Sequence, residues 1–155
     1  MHQMNRRELG LTLSAFAMLG SLSAEAQNIS SSDDTPKLLH SELFTYDKLP
    51  VHTAPNGMTS RAVVHGTLAT GEFIEVHETM LPAGEMPHPP HRHTHSELLL
   101  IRDGELQVDS DGQRGIVHAG DVVFTASAVL HSLKNVGTGP ASYFVVAVGI
   151  QRAIA

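Results

Sequence analysis

The sequence predicts an all-β domain, a sandwich or barrel of antiparallel strands, and three observations predict it. Short apolar stretches recur roughly every ten residues, Gly, Pro and Asp punctuate them, and past the N-terminal segment no run carries a clean helical period. The 155 residues, 41% hydrophobic and 17% charged, make about one compact domain. Composition agrees: 13 Gly and 8 Pro are spread through the chain, Val and Thr recur, and long Ala/Leu/Glu/Lys stretches are missing.

In chain order, Arg6 and Arg7 precede a weakly apolar run over 9–22 and then Ala24-Glu25-Ala26. A basic start, an apolar middle and a small-x-small end are the layout of a cleaved secretory signal, so residues 1–26 are expected to be a signal peptide and the mature protein periplasmic or secreted. The run is too short and too rich in Gly, Ser and Thr for a stable span, so no membrane is expected after cleavage. Asn5-Arg6-Arg7-Glu8-Leu9 also resembles the twin-arginine export signal, which implies a protein that crosses the membrane already folded. Residues 27–37 are polar and turn-forming, suited to a flexible linker, and the domain is expected over 38–155. Strands are expected at 61–68, 73–80, 97–102, 106–109, 115–117, 122–125 and 143–148. Between them Asp103-Gly104, Ser110-Asp111-Gly112 and Ala119-Gly120-Asp121 read as turns. The run Leu98-Leu99-Leu100-Ile101 and residues 144–148 are apolar on both faces; one face fills the interior and the other needs a cover, so a homodimer is expected.

Charge narrows the partners. The net charge is −6, and the 10 Lys and Arg residues are scattered, which argues against nucleic acid. There is no cysteine, so any metal must bind through nitrogen and oxygen. Histidine is the outlier: of 11 copies, four fall between His88 and His95. In His91-Arg92-His93 the imidazoles are two residues apart, and in an extended strand such residues point to one side. Glu97 stays in phase with the pair if the chain remains extended through Thr94 to Ser96, a phase His95 shares as a competitor. His131 would have to come from a neighbouring part of the barrel. Three neutral imidazoles and one carboxylate make a borderline donor set for one divalent transition metal, Fe, Mn, Ni, Cu or Zn. An octahedral ion would keep two positions open, and the net positive charge would draw an anionic or enolate-like small molecule.

It is here that the sequence resembles the cupin superfamily, whose first motif is a glycine, an HxH pair, a glutamate and a further glycine. Gly84, His91, His93, Glu97 and Gly104 match it, with one extra residue before His91 in the Pro87-His88-Pro89-Pro90 loop. Gly120, His131 and Asn135 match the second motif, where Ala126 replaces a proline and Ala128 a glycine. The resemblance covers roughly residues 60 to 150. It implies a double-stranded β-helix, a jelly-roll-like antiparallel barrel. It further implies that His91, His93, Glu97 and His131 are metal ligands and that Gly104, Gly120 and Asn135 are framework positions.

The remaining candidates have plainer readings. His95 stands where the family pattern has no ligand and is at most a hydrogen-bond partner of the ligands or a proton carrier, and His88 is a rim residue held by its prolines. His40, His52, His65, His77 and His118 lack partner spacing and read as ordinary exposed or hydrogen-bonded histidines. Met80, Leu99, Ile101 and Phe124 are equally suited to a pocket wall or to plain core; Arg102 and Lys134 read as solvated. The function expected by analogy is a metal-dependent, dioxygenase-like oxidoreductase on a small chelating substrate, with Glu97 as ligand and proton acceptor. A non-catalytic metal or small-ligand binder and a redox-silent isomerase or lyase are the alternatives.

Overall fold

The computed structural model describes residues 35–150. The expected signal peptide and residues 27–34 of the expected linker lie outside the described residues, while Lys37, at the linker's end, already belongs to β1. Among the described residues the order is β1 (Lys37–Leu38), a 3-10 turn (Tyr46–Lys48), β2 (His52–Thr53), β3 (Thr59–Leu68), β4 (Phe73–Leu81), β5 (Ser96–Asp103), β6 (Glu105–Ser110), β7 (Gln113–His118), β8 (Val122–Thr125), β9 (His131–Asn135) and β10 (Ala141–Gly149). No helix among the described residues is long and apolar enough to cross a membrane.

The strands form two sheets. The larger runs β1-β3-β4-β10-β5-β8, with β2 also on β3, and the smaller runs β7-β6-β9. All pairings are antiparallel except β1 on β3. Leu81, Leu99, Ile101, Tyr143 and Val145 from the large sheet meet Leu106, Val108 and Leu133 from the small one in a single core. The apolar run in β5 divides as strand geometry requires: Leu99 and Ile101 are buried, while Leu100 faces outward and is 41% exposed.

All seven expected strands are present. The unexpected one of consequence is β9, whose inward positions are His131, Leu133 and Asn135, at 7%, 5% and 0% exposure. Its period of two is intact, but two of its three inward residues are polar, so hydropathy conceals it.

Turns behave in two ways. Asp111 and Gly112, with φ of 52° and 74°, close a two-residue hairpin in which Ser110 pairs with Gln113. Gly104 carries the chain from the large sheet to the small one at φ 86°, where a Cβ would lie 2.5 Å from that of Ala141. The Asp103-Gly104 step is therefore a crossover between sheets and not a hairpin.

Candidate metal centre

The site is assembled where two loops meet. His91 and His131 form an isolated antiparallel bridge, with backbone bonds of 3.1 and 3.0 Å in the two directions. This brings His131, the first residue of β9, beside His91, and their ring centroids lie 4.5 Å apart. The same loops are tied again by the Ala128 amide to the His93 carbonyl at 2.7 Å, by Arg92 to the Ala128 carbonyl at 2.7 Å and by the Ser127 hydroxyl to the Thr94 carbonyl at 2.6 Å.

The chain does not stay extended from His91 to Glu97, the condition for keeping Glu97 in phase with the pair. The chain bends at Thr94 and His95, and regular strand begins at Ser96. One ligand atom from each of His91, His93 and His131 lies within 4.8 Å of the others. Glu97 enters a second trio, equally compact, with His93 and His95. His93 is the shared corner, and its Nε2 stands 3.4 Å from Glu97 Oε2, in ion-pair range but without hydrogen-bond alignment. The bend also lays His95 flat on His93, with centroids 3.8 Å apart and planes 11° apart. His88 meets His91 edge-on at 4.0 Å.

Protonation follows from the hydrogen bonds. The carbonyls of His95 and Val129 accept from Nδ1 of His93 and His131, at 2.8 and 3.0 Å, so each ring keeps its lone pair on Nε2. Nε2 of His93 and Nδ1 of His91 are buried with no hydrogen-bond partner. Burial, with the neighbouring imidazoles of His88, His131 and His93, pulls His91 down to about 4, so it is neutral near pH 7. Burial lowers His88 and His95 as well, the latter helped by His93. Burial opposes a charge on His93, but the Glu97 carboxylate and the His95 carbonyl outweigh it and raise the ring. Burial would raise Glu97 too, yet its imidazole neighbours, His93 foremost, hold it below the usual carboxylate range.

Buried nitrogens whose lone pairs have no hydrogen to accept are costly unless something else binds them. A divalent ion held among His91, His93 and His131 would satisfy such nitrogens, and the nitrogen and oxygen donors suit a first-row transition metal. Residues 77–147 match the family model of the cupin domain. The fold is that of a cupin. It resembles an RmlC-like cupin from Shewanella frigidimarina at 19% identity and TM-score 0.59, covering 72% of this chain and 95% of that one. KdgF from a Halomonas species gives 15% identity and TM-score 0.60, covering 73% and 96%. A predicted oxalate decarboxylase from Thermotoga maritima gives 22% and 0.57, covering 69% and 98%. No curated protein is significantly similar in sequence.

Within the cupin barrel the motif's framework residues have visible work. Asn135, fully buried, donates to the carbonyls of Leu81 and Gly139 at 2.8 and 2.9 Å and accepts from the Gly137 amide at 3.0 Å. Ala128, standing where the motif has glycine, holds the positive φ of 62° that glycine would adopt freely. Of the pocket-wall candidates, Leu99 and Ile101 are core, whereas Phe124 is 63% exposed on the outer face. Arg102, expected to be solvated, stacks on Tyr46 at 4.6 Å and reaches the buried Glu78, as Arg61 does from the other side. His77, read as an ordinary exposed or hydrogen-bonded histidine, pairs with Glu75 at 2.9 Å. The signal for that pair was the i, i+2 spacing of Glu75 and His77 within one strand, which places both on one face.

Proposed function

We propose that this protein binds one divalent first-row transition metal through His91, His93, His131 and Glu97, and uses it to oxidise a small chelating substrate in a dioxygenase-like reaction. The observation that carries the proposal is the pair of buried imidazole nitrogens, His91 Nδ1 and His93 Nε2, left without hydrogen-bond partners beside a third inward imidazole. A bound ion of this class supplies Lewis acidity, open positions for a chelating ligand and, with iron or manganese, reactivity toward oxygen.

The chain's own groups do the rest. The His95 and Val129 carbonyls fix two imidazoles in the ligating tautomer. Glu97, 3.4 Å from His93, would be the fourth residue to hold the ion, and its carboxylate is the group that would accept a proton from the substrate. A redox-silent isomerase or lyase is the second reading, favoured by the structural likeness to a predicted oxalate decarboxylase. A non-catalytic binder would use the same residues. Oxygen uptake by the iron- or manganese-loaded protein across a panel of enediols and phenols separates them: uptake supports the oxidoreductase, turnover without uptake the lyase or isomerase, and binding alone the carrier.

Export and a homodimer belong to the same proposal. Export is supported by the N-terminal pattern of Arg6, Arg7 and Ala24-Glu25-Ala26, and the dimer by the outward row of Leu100, Val122 and Phe124, at 41%, 55% and 63% exposure.

A further inference from the structure

Glu75 and His77 share the interior with the metal centre, and neither has a role above. Along β4 side chains alternate, and Phe73, Thr79 and Leu81 are buried at 3%, 4% and 0%, which marks their side of the strand as the inward one. Glu75 and His77 lie on that side. The register extends it: Glu75 faces Ala147 on β10, and Ala147 faces Glu97 on β5. One row of the large sheet thus reads Glu75, Ala147, Glu97, with the smallest side chain in the middle and the outer two Cα atoms about 10 Å apart. His77 lies one row on, opposite Val145.

Although they point inward, the side chains of Glu75 and His77 are 20% and 27% exposed, so solvent enters the barrel beside them. Glu75 Oε1 is 2.9 Å from His77 Nδ1; an ionised carboxylate only accepts, so the ring carries its proton on Nδ1 and keeps a lone pair on Nε2. The shared row with Glu97 places the pair on the metal centre's side of the large sheet. Other titratable groups on this face are His65 on β3, opposite Glu75, and Glu97 on β5. From β10 come Val145, Ala147 and, a row further, Tyr143, opposite Thr79.

A chelating enediol or catechol has two hydroxyl protons to give up before both oxygens are anionic donors. Glu97 accounts for one. We propose that the Glu75–His77 pair accepts the second, so that the site selects ligands bearing two adjacent acidic hydroxyls and holds them as dianions. In that step His77 Nε2 takes the proton, the O–H electron pair stays on the ligand oxygen, and Glu75 balances the new imidazolium. The inference rests on the metal-site reading above.

The test uses zinc, which is spectroscopically silent, and 4-nitrocatechol, whose visible spectrum separates monoanion from dianion. Zinc content and thermal melting are measured on the same samples of wild type, H77Q and E75Q. The expected result is equal zinc in all three and bound dianion in wild type at pH 7. H77Q should bind monoanion about tenfold more weakly, a gap that closes at a pH where the free ligand ionises unaided. E75Q, which keeps a hydrogen bond but no charge, should fall between. The pair is overturned if zinc-loaded wild type binds only monoanion, if the variants bind dianion with wild-type affinity, or if H77Q loses zinc or cooperative melting. A wild type that takes up no zinc overturns the metal-site reading itself and removes the pair's role with it.

Discussion

At His91 the physics of a single side chain sets a pH dependence. The folded ring stays neutral down to about 4, whereas the unfolded ring takes a proton below its ordinary value of 6.5. The unfolded state therefore binds more protons in that window, and stability falls as pH falls through it. His93 acts in the opposite sense, because its raised value gives stability that is present below 6.5 and lost as pH rises through the folded value. For the metal-free protein we expect the His91 contribution to appear as a fall in melting temperature between pH 6.5 and 4 that is shallower in H91Q. Parallel melting curves would show that His91 is not held neutral. Ala128 gives a second test at this scale. A non-glycine residue in the left-handed region costs about 1–2 kcal/mol, and glycine recovers part of it after its larger entropy in the unfolded chain. A128G should raise stability by about 0.5–1 kcal/mol in urea unfolding with the metal content unchanged.

Elements position these residues, and at their scale the sequence was legible wherever apolar alternation was intact. The seven expected strands and the Asp111-Gly112 hairpin are present, because inward and outward residues there differ in hydropathy. β9 escaped because the fold buries His131 and Asn135 there, polar residues that a hydropathy pattern reads as outward. The extended path through Thr94 to Ser96, the condition for Glu97 to stay in phase with the pair, is not met for a related reason. The bend is held by Ser127 and Ala128, more than thirty residues on, and spacing alone carries no trace of them. One ligand atom from each of His91, His93 and His131 nonetheless lies within 4.8 Å of the others, while Glu97 meets them through His93. Asn135 is the staple joining β9, the end of β4 and the turn before β10. Removing its side chain leaves buried backbone groups unpaired, so N135A should cost about 3 kcal/mol, read as a lower urea midpoint. A cost under 1 kcal/mol would mean that these groups find other partners.

For the whole molecule, a core shared by two sheets leaves the outer face of the large sheet with an apolar row. A charge in that row should be unfavourable only if another copy covers it. We expect sedimentation velocity to show a dimer for wild type and a monomer for F124D, with the fold retained in both; a monomeric wild type would refute the dimer.

The barrel's centre is the feature on which function depends, and metal stoichiometry tests it most directly. Protein purified from its native cells without chelators should contain close to one divalent transition-metal ion per chain. The ion should be lost in H93A and H131A and retained in H52A, whose imidazole lies in the short edge strand β2. Equal retention by all three variants would contradict the ligand assignment.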